Sequence, residues 1–105
     1  MTIFKKIVDG EVPCDLIYEA PSYVAFHDIN PQAPVHFLVV PRTDRLENLK
    51  STVVGDAVLL GILLRAAAKI AREQGLEDFT VTINNGPGAG QTVPHLHLHV
   101  TGTPQ

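Results

Sequence analysis

The run Thr92-Val93-Pro94-His95-Leu96-His97-Leu98-His99-Val100 constrains this chain more than any other stretch. Its strict alternation predicts a half-buried strand, with the imidazoles of His95, His97 and His99 on one face and Leu96, Leu98 and Val100 on the other. Three imidazoles on one sheet face serve no packing purpose, because His is a poor strand filler whose ring nitrogens need partners once buried. Same-face neighbours on a strand lie about 6.6 Å apart, so His95 and His99 would stand roughly 13 Å apart, too far to converge on one ion with bonds of about 2 Å. The pattern therefore points away from a metal centre and towards a neutral imidazole acting as nucleophile, which suits a side chain with an ordinary pKa of about 6.5. His97, the middle member, is the expected attacking group.

The rest of the chain sets bounds on that chemistry. A length of 105 residues gives one domain, residues 1–105, with a single core. Hydrophobic residues make up 45% and charged residues 18%, which excludes a disordered chain, and no apolar stretch is long enough to span a membrane. The single Cys14 fits a reducing compartment, and the start Met1-Thr2-Ile3-Phe4-Lys5-Lys6 does not read as a secretory signal, so a cytoplasmic protein is expected. A formal charge of -3 with no basic cluster argues against a nucleic-acid polymer as partner, and any phosphate-bearing partner should be small.

Taken in order, Thr2 to about Glu11 reads as a short helix capped by Thr2 and ended by Val12-Pro13, with Ile3, Phe4, Ile7 and Val8 on its apolar side. Cys14–Glu19 and Tyr23–Asp28 read as a hairpin around Ala20-Pro21-Ser22. Two prolines stiffen the loop Asp28 to Pro34, where Asp28 can cap an Asx turn or accept from a vicinal diol. Val35 to Pro41 is apolar enough for a central strand, with His36 near its start, and Arg42-Thr43-Asp44-Arg45 reads as a solvated loop. A long helix is predicted from about Val53 to Gln74, with Asp56 in its first turn and a broad stripe of Val58, Leu59, Ile62, Leu63, Ala66 and Ile70. So wide a stripe implies a second layer or a partner subunit. Phe79 to Asn84 alternates as a further strand and leads into Asn85-Gly86-Pro87-Gly88-Ala89-Gly90-Gln91-Thr92. Placed ahead of the histidines, this glycine-rich loop reads as a phosphate cradle of inward N–H groups, with Gln91 and Thr92 as side-chain donors.

His95-Leu96-His97-Leu98-His99-Val100 resembles the histidine-triad signature, and Phe26 to Pro41 resembles the corresponding segment of its Hint branch. The resemblance runs from Thr2-Ile3-Phe4 to Val100; Thr101 and Asn85 depart from the usual pattern. It implies an α+β fold, a five-stranded antiparallel sheet with one short and one long helix, in a homodimer whose two sheets join into ten strands. It further implies a purine nucleoside phosphoramidase without cofactor or metal, in which His97 carries a nucleotidyl intermediate. His99 would orient the phosphate, His36 would belong to the proton-handling group and His95 would support the strand. Asp28 would hold the ribose beside Ile29, and Phe26, His27, Ile3, Phe4 and Ile7 would shape the nucleoside pocket. Asn84, Gly90, Gln91 and Thr92 would meet the phosphate and leaving group. The alternatives are a dinucleoside polyphosphate or adenylyl sulfate hydrolase, to which Gly90-Gln91-Thr92-Val93 is also suited, and a nucleotide-binding interaction module.

Overall fold

A strand that is apolar on both faces is stable only between two layers, and the segment from Val35 to Pro41 finds both. The computed structural model describes residues 1–105 and contains helices α1 (Ile3–Val8) and α2 (Ala57–Glu73). Its strands are β1 (Leu16–Glu19), β2 (Tyr23–His27), β3 (Val35–Pro41), β4 (Thr80–Thr82) and β5 (Leu98–Gly102). They form one antiparallel sheet in the order β1-β2-β3-β5-β4, with β3 at its centre as expected.

Alternation sorts the side chains between the two faces. Tyr23, Ala25, Phe37, Val39, Leu98 and Val100 pack with Leu63, Ala66, Ala67, Ile70 and Ala71 of α2. Val24, Phe26, Leu38 and Val40 face the other way, onto Val8, Phe4 and Ile7 of α1. His36 shares parity with Leu38, and His99 lies between Leu98 and Val100, so both imidazoles belong to the α1 face. The pairing Leu38↔His99 and His36↔Thr101 between β3 and β5 fixes their relative height.

Thr2 caps α1 as the sequence indicates, its hydroxyl accepting the Lys5 N–H at 3.1 Å. The helix stops at Val8 rather than near Glu11, because Gly10 takes a left-handed φ of 78° just beyond it. Asp56 is not inside the long helix but at its N-cap, after a 3-10 turn over Val54–Asp56. One carboxylate oxygen accepts the Val53 N–H at 2.9 Å and the other takes the Arg45 guanidinium at 2.6 Å. Arg42 donates to the carbonyls of Ala20 and Val8 at 2.8 and 2.9 Å. The loop expected to be merely solvated is thus pinned, since a guanidinium fork serves several acceptors at once.

The buried edge of α2 runs through Leu63, Ala66, Ala67, Ile70 and Ala71, whereas Val58 and Ile62 from the predicted stripe, and Leu64 outside it, are exposed by 76, 39 and 50%. No helix is long and apolar enough to cross a membrane. Leu63 is fully buried between α2 and the sheet. Leu63→Ala is therefore expected to lower unfolding free energy by about 2–5 kcal/mol, measured by urea denaturation.

Candidate active site

β5 begins only at Leu98, so His95 and His97 precede it and the alternation does not correspond to one regular strand. The rings nevertheless form a continuous row along the α1 face. Phe4 sits edge-on to His97 at 4.8 Å between ring centres and to His95 at 6.2 Å. His97 meets His99 at 4.9 Å, and His99 meets His36 at 5.2 Å.

Each ring's partners determine where its proton lies. His95, fully buried, has Nε2 at 2.8 Å from the Pro41 carbonyl, which can only accept, so Nε2 carries the proton. Its Nδ1 then accepts from the Thr2 hydroxyl at 3.3 Å. His97 Nδ1–H donates to the His95 carbonyl at 2.6 Å. That bond leaves Nε2 of His97 with a free lone pair, the form a nucleophile requires. At the far end, the Gln32 N–H donates to His36 Nδ1 at 3.0 Å, placing the His36 proton on Nε2. His36 Nε2–H donates to His99 Nδ1 at 2.9 Å, with Asp28 Oδ2 at 3.3 Å as a second acceptor. His99 therefore carries its proton on Nε2, where it is free to donate to a bound anion.

Burial is the main cause that lowers the pKa of His95, His97 and His99 below the ordinary 6.5. Repulsion from His97 and His36 lowers His99 further, against the pull of Asp28.

The other expected residues divide into groups. Asp28 joins the histidine row, and its Oδ1 also accepts the Asn30 N–H at 2.8 Å, so the Asx turn and the ionic contact coexist. Phe26 packs edge-on to Phe4 at 5.8 Å, and Ile7 packs against the same buried cluster. Ile29 is 100% exposed beside Asp28, and Ile3 is also exposed. His27 is not brought in: it has the parity of Tyr23 and Ala25, which sends it towards the opposite face.

The glycine-rich loop is not an open cradle. The N–H groups of Gly86, Ala89, Gly90 and Gln91 are all spent on acceptors within it. Gln91 is a buried clamp rather than a phosphate donor. Its carbonyl oxygen accepts from Asn48 Nδ2 and Gly86 N–H at 2.9 and 2.8 Å, while its Nε2 donates to the carbonyls of Glu47 and Val93 at 2.6 and 2.9 Å. Asn84 donates to the Ala89 carbonyl at 2.8 Å, and Thr92 remains exposed. Sequence reasoning missed Thr2 as the partner of His95, Asn48 as the partner of Gln91, and the main chain of Gln32. Only Thr2 carried a signal, as a helix cap whose hydroxyl also has a proton to give.

With this geometry in view, residues 9–105 match the family model described as the HIT domain. The chain belongs to the HIT domain family. A HIT family hydrolase from Legionella pneumophila superposes with a TM-score of 0.95 at 36% identity, covering 100% of this chain and 95% of the other. A histidine triad nucleotide-binding protein from Candida albicans gives 0.85 at 29% identity, covering 95% and 73%. A 14 kDa zinc-binding protein of Zea mays is 44% identical over 103 residues, 96% of this chain and 80% of the relative.

One cluster of this HIT domain has the donor types that zinc uses. Asp28 Oδ2, His36 Nε2 and His99 Nδ1 lie 2.9, 3.3 and 3.8 Å from one another. Ligand atoms on a tetrahedral zinc with bonds of 2.0–2.1 Å are about 3.4 Å apart, so the spacing fits. The protonation does not: His36 carries its proton on the coordinating nitrogen, and the Gln32 N–H occupies the other. The residues present do not fit the ion.

Because desolvation disfavours the charged forms of His95, His97 and His99, the folded chain binds fewer protons than the unfolded chain below pH 6.5. Their contribution to stability is complete above that value and falls as the pH drops. Thermal midpoints measured between pH 7.5 and 5 should decline on acidification, and His97→Asn should flatten the decline.

Proposed function

We propose that this protein hydrolyses the P–N bond of purine nucleoside 5′-phosphoramidates through a nucleotidyl intermediate on His97, as in the Hint branch. The observation that carries the reading is the hydrogen bond from His97 Nδ1–H to the His95 carbonyl, which leaves Nε2 unprotonated beside a phosphate donor. The hydrolase and nucleotide-binding relatives support the class.

In the first half-reaction Nε2 of His97 bonds to the α-phosphorus as the P–N bond breaks, and the leaving nitrogen takes a proton and departs as the amine. In the second, water attacks phosphorus, the P–Nε2 bond breaks, and the monophosphate leaves. Over the cycle one proton goes to the amine and one comes from water, so the row ends unchanged. Negative charge on the bound phosphate favours a second proton on His99, opposing the burial that keeps it neutral when the site is empty. That imidazolium is the acid for the amine, and the imidazole left behind is the base for water. The added proton on His99 Nδ1 displaces the bond from His36, 2.9 Å away, so the ring must turn towards Asp28 Oδ2, at 3.8 Å, for its acceptor. The same carboxylate keeps lone pairs for a ribose hydroxyl, and exposed Ile29 and Ile3 offer apolar cover for a base. In this reading Thr92 and the Asn84 carbonyl oxygen are left for the phosphate end, whereas the Gly90 N–H and Gln91 are committed internally, which weakens the support that Gly90-Gln91-Thr92-Val93 lends to the polyphosphate and adenylyl sulfate alternatives.

A homodimer is part of this reading, supported by exposed Val58, Ile62 and Leu64 on α2 and by the open edge of β4. Sedimentation should give twice the 11.4 kDa chain mass, and a monomer at micromolar concentration would remove that part.

With adenosine 5′-phosphoramidate and no added metal, the wild type should release the monophosphate, and His97→Ala should lose on the order of 10⁴-fold or more in kcat while keeping its fold. Nucleotide binding without turnover would replace the enzyme with a binding module.

A further inference from the structure

We infer that the main-chain N–H of Gln32 is a positioning group that fixes the tautomer of His36, directing the proton chain towards the substrate side of His99 and keeping zinc out of the Asp28–His36–His99 cluster. The proton-chain half rests on the proposed histidine-transfer chemistry, whereas the tautomer and the exclusion of zinc do not.

Donor count decides the tautomer. A neutral imidazole has one N–H and one lone pair. The Gln32 N–H lies 3.0 Å from His36 Nδ1 and needs the lone pair there. The sole ring proton of buried His36 is then on Nε2, directed at His99 Nδ1 and Asp28 Oδ2. His99 in turn must accept on Nδ1 and keep its own proton on Nε2. When His99 gains a second proton on Nδ1, its bond from His36 breaks and that ring turns away, while the His36 N–H retains Asp28 Oδ2 at 3.3 Å as its acceptor.

The same count governs metal capture. Asp28 and His99 already present lone pairs to the point where a tetrahedral ion would sit, and only His36 is wrong, by one proton. Coordination through Nε2 would move that proton to Nδ1, where it would meet the Gln32 N–H head-on at 3.0 Å. Outer partners of ligating histidines normally accept the ring N–H, and disturbing them changes metal affinity by about 10–100-fold. Here the outer partner is a donor, the reverse polarity.

Gln32 is exposed, and its side chain donates only to the Asn30 carbonyl, so Gln32→Ala keeps the amide and tests the side chain alone. Gln32→Pro removes the N–H, and replacement of the residue-32 amide by an ester removes it without altering the side chain. Imidazole ¹⁵N spectra should show His36 protonated on Nε2 in the wild type and Gln32→Ala, and on Nδ1, or as a mixture, in the proline and ester proteins. Calorimetric titration with zinc at pH 7.5 should show binding at least about tenfold tighter in the proline and ester proteins than in the wild type, and His99→Ala in the ester background should abolish the gain. Wild-type His36 protonated on Nδ1, or equal zinc affinity in the wild type and a folded ester protein, would overturn the inference. Neither readout involves turnover, so failure of the phosphoramidase reading would register separately.

Discussion

The antiparallel register between β3 and β5 is the constraint on which the site depends. Leu38 opposite His99, with His36 opposite Thr101, places imidazoles from two distant segments on one face within hydrogen-bonding reach. A slip of one residue would send His99 to the α2 side and bring Leu98 and Val100 out of the core. The register is held by the apolar demand on both faces of β3, so the packing that stabilises the sheet also aligns the histidine pair.

Within that frame the protein handles its imidazoles with neutral partners more than with charge. The Pro41 and His95 carbonyls and the Gln32 N–H are main-chain groups, rigid with the backbone and unable to ionise. Each forces one nitrogen of one ring into one role, and the roles propagate through contacts that contain no free choice. Asp28 is the single carboxylate in the row, at the end away from His97, which suits a site that must admit an anion.

Periodicity was enough to read the layers of the fold, because alternation in β2, β3 and β5 and the helical stripe of α2 both report burial directly. It misjudged the strand start at Leu98, since a chain entering a sheet through Pro94 keeps apolar and polar sides before it acquires ladder bonds. The row of histidines and the neighbourhood of Asp28 were also legible, from residue type and family pattern. The roles of Gln91, Asn48 and Gln32 were not. An amide looks the same in sequence whether it meets a ligand or a backbone 44 residues away, as Gln91 does with the Glu47 carbonyl. A main-chain N–H has no sequence signature at all.

The wall over His95 and His97 is a helix of only six residues, far below the length at which an isolated helix persists in water. It exists because Phe4, Ile7 and Val8 pack onto the sheet, and Phe4 is also what dries His97. Detachment of α1 would wet His97 and return its basicity, so by linkage a proton captured there would favour the open state. Amide exchange in α1 should consequently be acid-sensitive in a way that exchange in β3 is not, making the most local element of the fold the one that senses the medium.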